Sequence, residues 1–136
     1  MIPNRSVPDA TVIPVLSYPD VTEASDWLCN AFGFKVRLRI GNHRVQMLYG
    51  DGAVILTNQG GGEGTSGHST HVRVANAGAH YRHASAAGAH AGEPPTEFPY
   101  GEKQYSAEDP WGHRWTFSES TADVDPVSWG ATDISL

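Results

Sequence analysis

The sequence predicts an α+β domain in which a β-α-β-β-β module occurs twice, the two modules forming curved antiparallel sheets around a cavity. Three observations carry this reading. Near the N-terminus a β-branched strand runs into an amphipathic helix with both a start and a stop signal. Three strands separated by glycine turns follow. After a glycine-rich interruption the same order returns at a period of roughly fifty to sixty residues, the mark of an internal duplication. The domain covers 11–119, with module one at 11–58, a linker at 59–67 and module two at 68–119; residues 1–10 are an N-terminal extension and 120–136 a C-terminal tail.

Thr11 to Tyr18 is β-branched and apolar, the pattern of a buried strand. Asp20 caps the first helix, and Glu23 three residues on completes a capping-box pattern. Ala24, Trp27, Leu28, Ala31 and Phe32 recur at helical spacing on one face, and Gly33 supplies the stop. Strands follow at Phe34 to Ile40, Arg44 to Tyr49 and Ala53 to Asn58, with turns at Gly41-Asn42 and Gly50-Asp51-Gly52.

In module two, Ser69 to Val74 is a strand and Asn76 caps a helix that ends at Gly88. Strands are expected at Glu93 to Glu97, Lys103 to Glu108 and His113 to Ser118. Between the last two, Asp109-Pro110-Trp111-Gly112 has the residues of a type I turn. In the final strand Arg114, Thr116 and Ser118 alternate with His113, Trp115 and Phe117, the period of a half-buried strand.

Composition fits one small globular domain: 136 residues, 39% hydrophobic and 18% charged, enough for a single adequate core. The net charge of −6 and the absence of any Lys or Arg cluster argue against nucleic-acid binding through phosphates. Met1 to Thr11 holds two prolines and no apolar run, unlike a signal peptide, and no stretch approaches a membrane span. With Cys29 the only cysteine, no intrachain disulfide can form. A soluble cytoplasmic protein without nucleic-acid or membrane partners is the expectation.

The hairpin Tyr100 to Ser118 resembles the closing hairpin of the vicinal oxygen chelate superfamily, which includes glyoxalase I, the bleomycin-resistance proteins and the extradiol dioxygenases. Val12 to Asp20 followed by Ala24, Trp27 and Ala31-Phe-Gly-Phe34 looks like that family's opening strand and helix. His71-Val-Arg-Val74 and Ala86-Ala-Gly-Ala89 look like its second half. The resemblance covers about Thr11 to Glu119. It implies the glyoxalase/bleomycin-resistance fold, but the superfamily hosts isomerases, dioxygenases, epimerases and drug-sequestering proteins, so fold leaves the reaction open.

Metal-dependent members resembling this chain carry four ligands, one near the start of each module's first strand and one on each module's last strand. Counting from Asp20, the Val-Ile-Leu-Thr strand, Val74 and Asp109 sets these positions at Ile13, Ile55, Ser69 and Thr116. None supplies imidazole, thiolate or carboxylate. Among the neighbours Val12, Pro14, Val54, Leu56, Trp115 and Phe117 are no better, and only His68 could ligate. The expectation is that no metal and no other cofactor is bound.

Other motifs carry less. His68-Ser-Thr-His71 and His80-Tyr-Arg-His83 have metal-like spacing but no further ligands nearby in sequence. His80 and His83 are expected on a solvated helix face, with Tyr81 and Ala84 as the buried stripe. Gly62-Glu-Gly-Thr-Ser-Gly67 matches a dinucleotide fingerprint, yet a strand rather than a helix follows it, so 59–67 reads as a flexible linker. Cys29 reads as a structural thiol within the helix.

Alternation puts Ile13, Val15, Ser17, Gln46, Leu48, Ile55, Ser69, His71, Arg73, Arg114 and Thr116 on the cavity faces. The lining is mostly apolar with a few polar or cationic groups, as in small-molecule sites. Tyr18, Trp27, Trp115 and Phe117 belong to the helix-covered core. His71 reads equally as a pocket residue or a packed core histidine. Arg73 and Arg114 would favour an anionic or polyphenolic ligand, although a surface role suits either equally. The expected function is metal-independent binding of a small organic molecule, as the resemblance to the bleomycin-resistance branch implies. The alternative is a glyoxalase- or dioxygenase-like lyase or isomerase, using a displaced metal site or His71 as acid and base. A dimeric scaffold without a ligand is a third reading. The resemblance also implies a homodimer, because relatives commonly build cavities between modules of two chains.

Overall fold

Asp20 opens the first helix as its sequence position requires: its carboxylate accepts the N–H groups of Thr22 and Glu23, both at 3.0 Å. In the computed structural model, which describes residues 1–65 and 67–136, this helix, α1, runs over Val21–Phe32. Gly33 ends it in the left-handed conformation (φ 87°), where its N–H returns to the Cys29 carbonyl. β1 (Val15–Ser17) precedes α1, and β2 (Lys35–Ile40), β3 (Arg44–Tyr49) and β4 (Gly52–Thr57) follow. Module two repeats the order with β5 (Thr70–Arg73), α2 (Ala77–Ala86), β6 (His90–Ala91), β7 (Thr96–Phe98), β8 (Glu102–Glu108) and β9 (Arg114–Ser120). The side chain of Asn76 caps α2 through the Ala79 N–H.

The fold is the α+β architecture expected, with one correction. The sheets are mixed, not antiparallel: sheet one has the order β1-β4-β3-β2 and sheet two β5-β9-β8-β6, with β7 also on β8. β1 pairs in parallel with β4, and β5 in parallel with β9. Each helix carries the chain across its module before the later strands form, so the first and last strands come to run the same way. The opening strand is also shorter than Thr11 to Tyr18, because Pro14 has no N–H to give the ladder, though its carbonyl still accepts from Ile55 at 2.9 Å. The strand expected at Glu93 to Glu97 is divided into β6 and β7 around Pro94 and Pro95.

The core lies between the helices and the covered faces of both sheets. Leu16, Val45, Met47 and Leu56 from sheet one meet Tyr105, Trp115 and Phe117 from sheet two beneath Leu28 and Phe32 of α1. The Phe32 ring centroid stands 4.7 Å from Phe117 and 5.6 Å from Trp115, so α1 is packed on the other module's sheet as well as its own. A fully buried ring of this kind contributes about 1.5–3 kcal/mol. Of the four aromatics expected here, Tyr18, Trp115 and Phe117 are fully buried; Trp27 is half-buried, edge-on to Phe32 at 4.9 Å.

Two expectations about polar segments are corrected. His80 does not sit on a solvated face. Its Nε2 donates to the Phe32 carbonyl at 2.8 Å and its Nδ1 meets the Tyr105 hydroxyl, while the Nε2 of the more exposed His83 donates to the Asn30 carbonyl at 2.7 Å. Both carbonyls belong to the last turn of α1, whose acceptors have no partner within the helix. The linker is pinned instead of free: Ser17 Oγ donates to the Gln59 carbonyl at 2.6 Å and accepts from the Gly62 N–H at 2.9 Å, and the Gly64 N–H reaches the Trp111 carbonyl at 3.1 Å. Glycine is required at 64, since a Cβ there would lie 2.1 Å from the Gly112 carbonyl oxygen. Ser66 of this linker, within the G-x-G-x-x-G run, lies outside the described residues.

Candidate functional site

The sheet faces turned away from the helices carry the residues singled out for the cavity. On module one the pairing sets Val15, Ile55, Gln46 and Leu38 in one row across all four strands, with Ser17 in the next row and Leu48 opposite Ala53. Ile13 precedes β1 and is half-buried. On module two, His71, Thr116 and Ser106 form one row, Arg73, Ser118 and Gln104 the next, and Arg114 pairs with Glu108 at the far end. Ser69 lies exposed just before β5. Each face is mixed: on module one Gln46 and Ile55 are buried and Val15 is exposed, and on module two Ser118 is buried while His71, Arg73 and Arg114 are exposed.

Module two's face is a set of linked polar groups. Gln104 Nε2 donates to Ser118 Oγ at 3.1 Å, and that hydroxyl donates to Glu102 Oε1 at 2.7 Å. Arg73 Nη2 donates to Ser120 Oγ at 3.0 Å, and the Ser106 and Thr116 hydroxyls share a hydrogen bond at 3.0 Å. Hydrogen bonding from Ser118 and Ser120, helped by the nearby Arg73 and His71, holds the Glu102 carboxyl below its ordinary range. Arg114 is taken up by an exposed ion pair with Glu108 at 3.4 Å, worth little in stability.

An aromatic wall rises beside these groups. Phe98 stacks on Tyr100 with centroids 5.4 Å apart, Tyr100 donates to Gln104 Oε1 at 3.2 Å, and Trp129 lies 5.2 Å from the Tyr100 ring. Trp129 comes from a 3-10 helix over Pro126–Trp129 in the C-terminal tail. The tail is held where the Thr121 N–H donates to the Gly101 carbonyl at 2.8 Å.

At the end of the molecule where the modules meet, a cleft of about 360 Å³ opens between the β3–β4 turn and β5. Phe34, Tyr49 and Val72 supply apolar wall, and Asp51, His71 and Arg73 the charged or ionisable groups. Thr70 also lines it, and its hydroxyl is a buried polar atom without a hydrogen-bond partner. Of the residues proposed from sequence, His71 and Arg73 reach both this cleft and the open face; Ile13, Val15, Gln46, Leu48 and Ile55 stand on module one's separate face.

The four positions considered for a divalent ion do not fit one. Ile55 lies opposite Val15 and Gln46, and Thr116 opposite His71 and Ser106. Among the described residues no three His, Cys, Asp or Glu side chains stand together as a metal-holding group. Cys29 is half-buried, its thiol pushed up chiefly by burial, the condition of an inert structural cysteine.

Glu102, Gln104, Ser106 and Ser118 were not singled out for the site. Strand alternation carries that signal, since each shares a face with Thr116 once β8 and β9 are paired. Trp129 and Tyr100 have no such local signal, because only the path of the tail brings them together.

Residues 11–117 match the family model described as the Glyoxalase/Bleomycin resistance protein/Dioxygenase superfamily. TioX from Micromonospora sp. ML1 is 29% identical with a TM-score of 0.70, over 82% of this chain and 98% of that one. A superfamily member from Sphaerobacter thermophilus DSM 20745 shares the fold at 20% identity and a TM-score of 0.66, over 81% and 97% of the two chains. A family enzyme from Burkholderia phytofirmans PsJN does so at 16% identity and 0.65, over 79% and 96%. No curated protein sequence matches. Among the described residues, no helix is long and apolar enough to cross a membrane. With the match spanning both modules, the chain belongs to the glyoxalase/bleomycin resistance protein/dioxygenase superfamily.

Proposed function

We propose that this chain binds a small organic molecule without the help of a metal, as a homodimer in the cytoplasm. The observation that carries the reading is the convergence at His71 and Arg73. Both line the cleft, and both stand on the open face of module two. An apolar wall with a few unspent polar groups is what a small-molecule site needs. The side chains at Ile13, Ile55, Ser69 and Thr116 support binding without a divalent ion. A thermal-shift screen of chelator-treated protein against planar organic acids and phenols tests this. A ligand raises the melting temperature by its preference for the folded state. A shift that appears only when a divalent ion is restored would overturn metal independence.

A second reading, metal-free acid–base catalysis, is favoured by one feature: His71 and the Glu102 carboxylate stand on the same face of sheet two. Any compound found in the screen separates the two. A binder returns it unchanged after prolonged incubation, and an enzyme converts it to a product of altered mass or retention.

A further inference from the structure

We infer that residues 4–8 are a displaceable strap over the concave face of module one, and that the face beneath recognises a ligand offering two carbonyl-type acceptors. Gln46 lies on the side of sheet one away from the helices, yet it is only 3% exposed. What meets it is the chain's own N-terminal segment. Gln46 Nε2 donates to the Ser6 carbonyl at 2.8 Å, and Arg37 Nη2 donates to the adjacent Arg5 carbonyl, also at 2.8 Å. The two donors are locked to each other, because Arg37 Nη1 donates to Gln46 Oε1 at 2.8 Å.

The sheet is shaped for this contact. Its register slips between the Val36–Met47 and Leu38–Gln46 pairs, so a bulge in β2 falls at Arg37 and re-aims that side chain. The strap is shaped as well. Asn4 folds it into a turn, its Oδ1 accepting the Ser6 N–H at 3.0 Å and its carbonyl the Val7 N–H at 3.4 Å. Pro8 is buried beyond the turn, while Met1, Ile2 and Val7 before it and Asp9, Thr11 and Val12 after it are exposed. A docked piece so short, with solvated flanks on both sides, opens locally without disturbing the core.

The strap therefore covers the centre of module one's face, at Gln46, while Val15 at the β1 edge of the same row stays exposed. Tethered in cis, it competes at an effective concentration in the millimolar range. The inference concerns module one alone and stands whether or not the cleft at His71 binds a small molecule.

The test uses the full-length chain and two strap variants, Pro8→Asp, which removes the buried ring, and Asn4→Gly, which removes the turn. The probe is the acetylated, amidated pentapeptide Asn-Arg-Ser-Val-Pro. In wild type, tryptic cleavage after Arg5 is slow and the pentapeptide binds weakly or not at all. In either variant cleavage accelerates at least tenfold with the circular dichroism unchanged, and the pentapeptide binds saturably, at least tenfold tighter than to wild type. Equal cleavage rates would overturn the strap. Faster cleavage without saturable peptide binding would overturn the recognition site beneath it.

Discussion

The Tyr18 hydroxyl donates to the carboxylate of Asp109 at 2.6 Å, joining residues 91 positions apart in different modules. Asp109 is fully buried and also accepts the Trp115 indole N–H at 3.2 Å and the N–H groups of Trp111 and His113 at 3.0 Å. His113 adds a second tie, donating from Nε2 to the Ser17 carbonyl at 2.6 Å. The turn that closes the last hairpin is thus fastened to the start of module one. Burial and the neighbouring carboxylate push the Tyr18 hydroxyl up, so it stays a donor throughout the accessible pH range.

Tyr18→Phe removes one hydrogen bond to a buried carboxylate and should lower stability by about 1.5–3 kcal/mol. Asp109→Ala leaves several buried donors unpaired and should cost more, about 4 kcal/mol or above. Urea unfolding midpoints at fixed slope measure both.

His80 makes stability depend on pH. Burial favours its neutral form, which donates from Nε2 to the Phe32 carbonyl and accepts the Tyr105 hydroxyl at Nδ1. The Phe32 hydrogen bond opposes that shift and His83 adds to it, leaving the folded pKa below the ordinary histidine value. Between the folded pKa and about 6.5 the unfolded chain binds the extra proton. Stability is therefore complete above about pH 6.5 and declines as pH falls through the folded pKa. Unfolding of wild type and His80→Gln at pH 7.5 and 5.0 should show a smaller decline in the variant.

Much of the fold was legible because its signals are local. Asp20, Gly33 and Asn76 announce helix ends through their own hydrogen bonds, and Gly50 to Gly52 and Asp109 to Gly112 announce turns. Pairing direction was not legible, since nothing within Val15 to Ser17 says that β4 will lie beside it in parallel. His80 was misread because α2 is alanine-rich and its own pattern barely distinguishes its faces. The carbonyl His80 meets lies 48 residues earlier. The strap escaped notice for a related reason: Arg5 and Ser6 act through main-chain oxygens, which no side-chain pattern reveals.

Purified protein should contain no stoichiometric transition metal, because Ile13, Ile55, Ser69 and Thr116 offer no suitable ligand. Elemental analysis after chelation checks it; about one zinc, iron or nickel per chain would refute the expectation.

The chain should form a homodimer, which would cover exposed sheet edges. Light scattering at micromolar concentration should give twice the 14.6 kDa chain mass; a species of 14.6 kDa alone contradicts it.

The most direct measurement pairs the unfolding midpoint with the dissociation constant of a screened ligand, for metal-stripped wild type and His71→Ala. His71 is exposed on β5, so its removal should leave the midpoint unchanged. Affinity should weaken by about 0.5–1.5 kcal/mol for a neutral hydrogen-bond partner, or up to about 3 for a charged one. A midpoint that falls while affinity holds would contradict the account, returning His71 to a structural role and removing the binding site from this face.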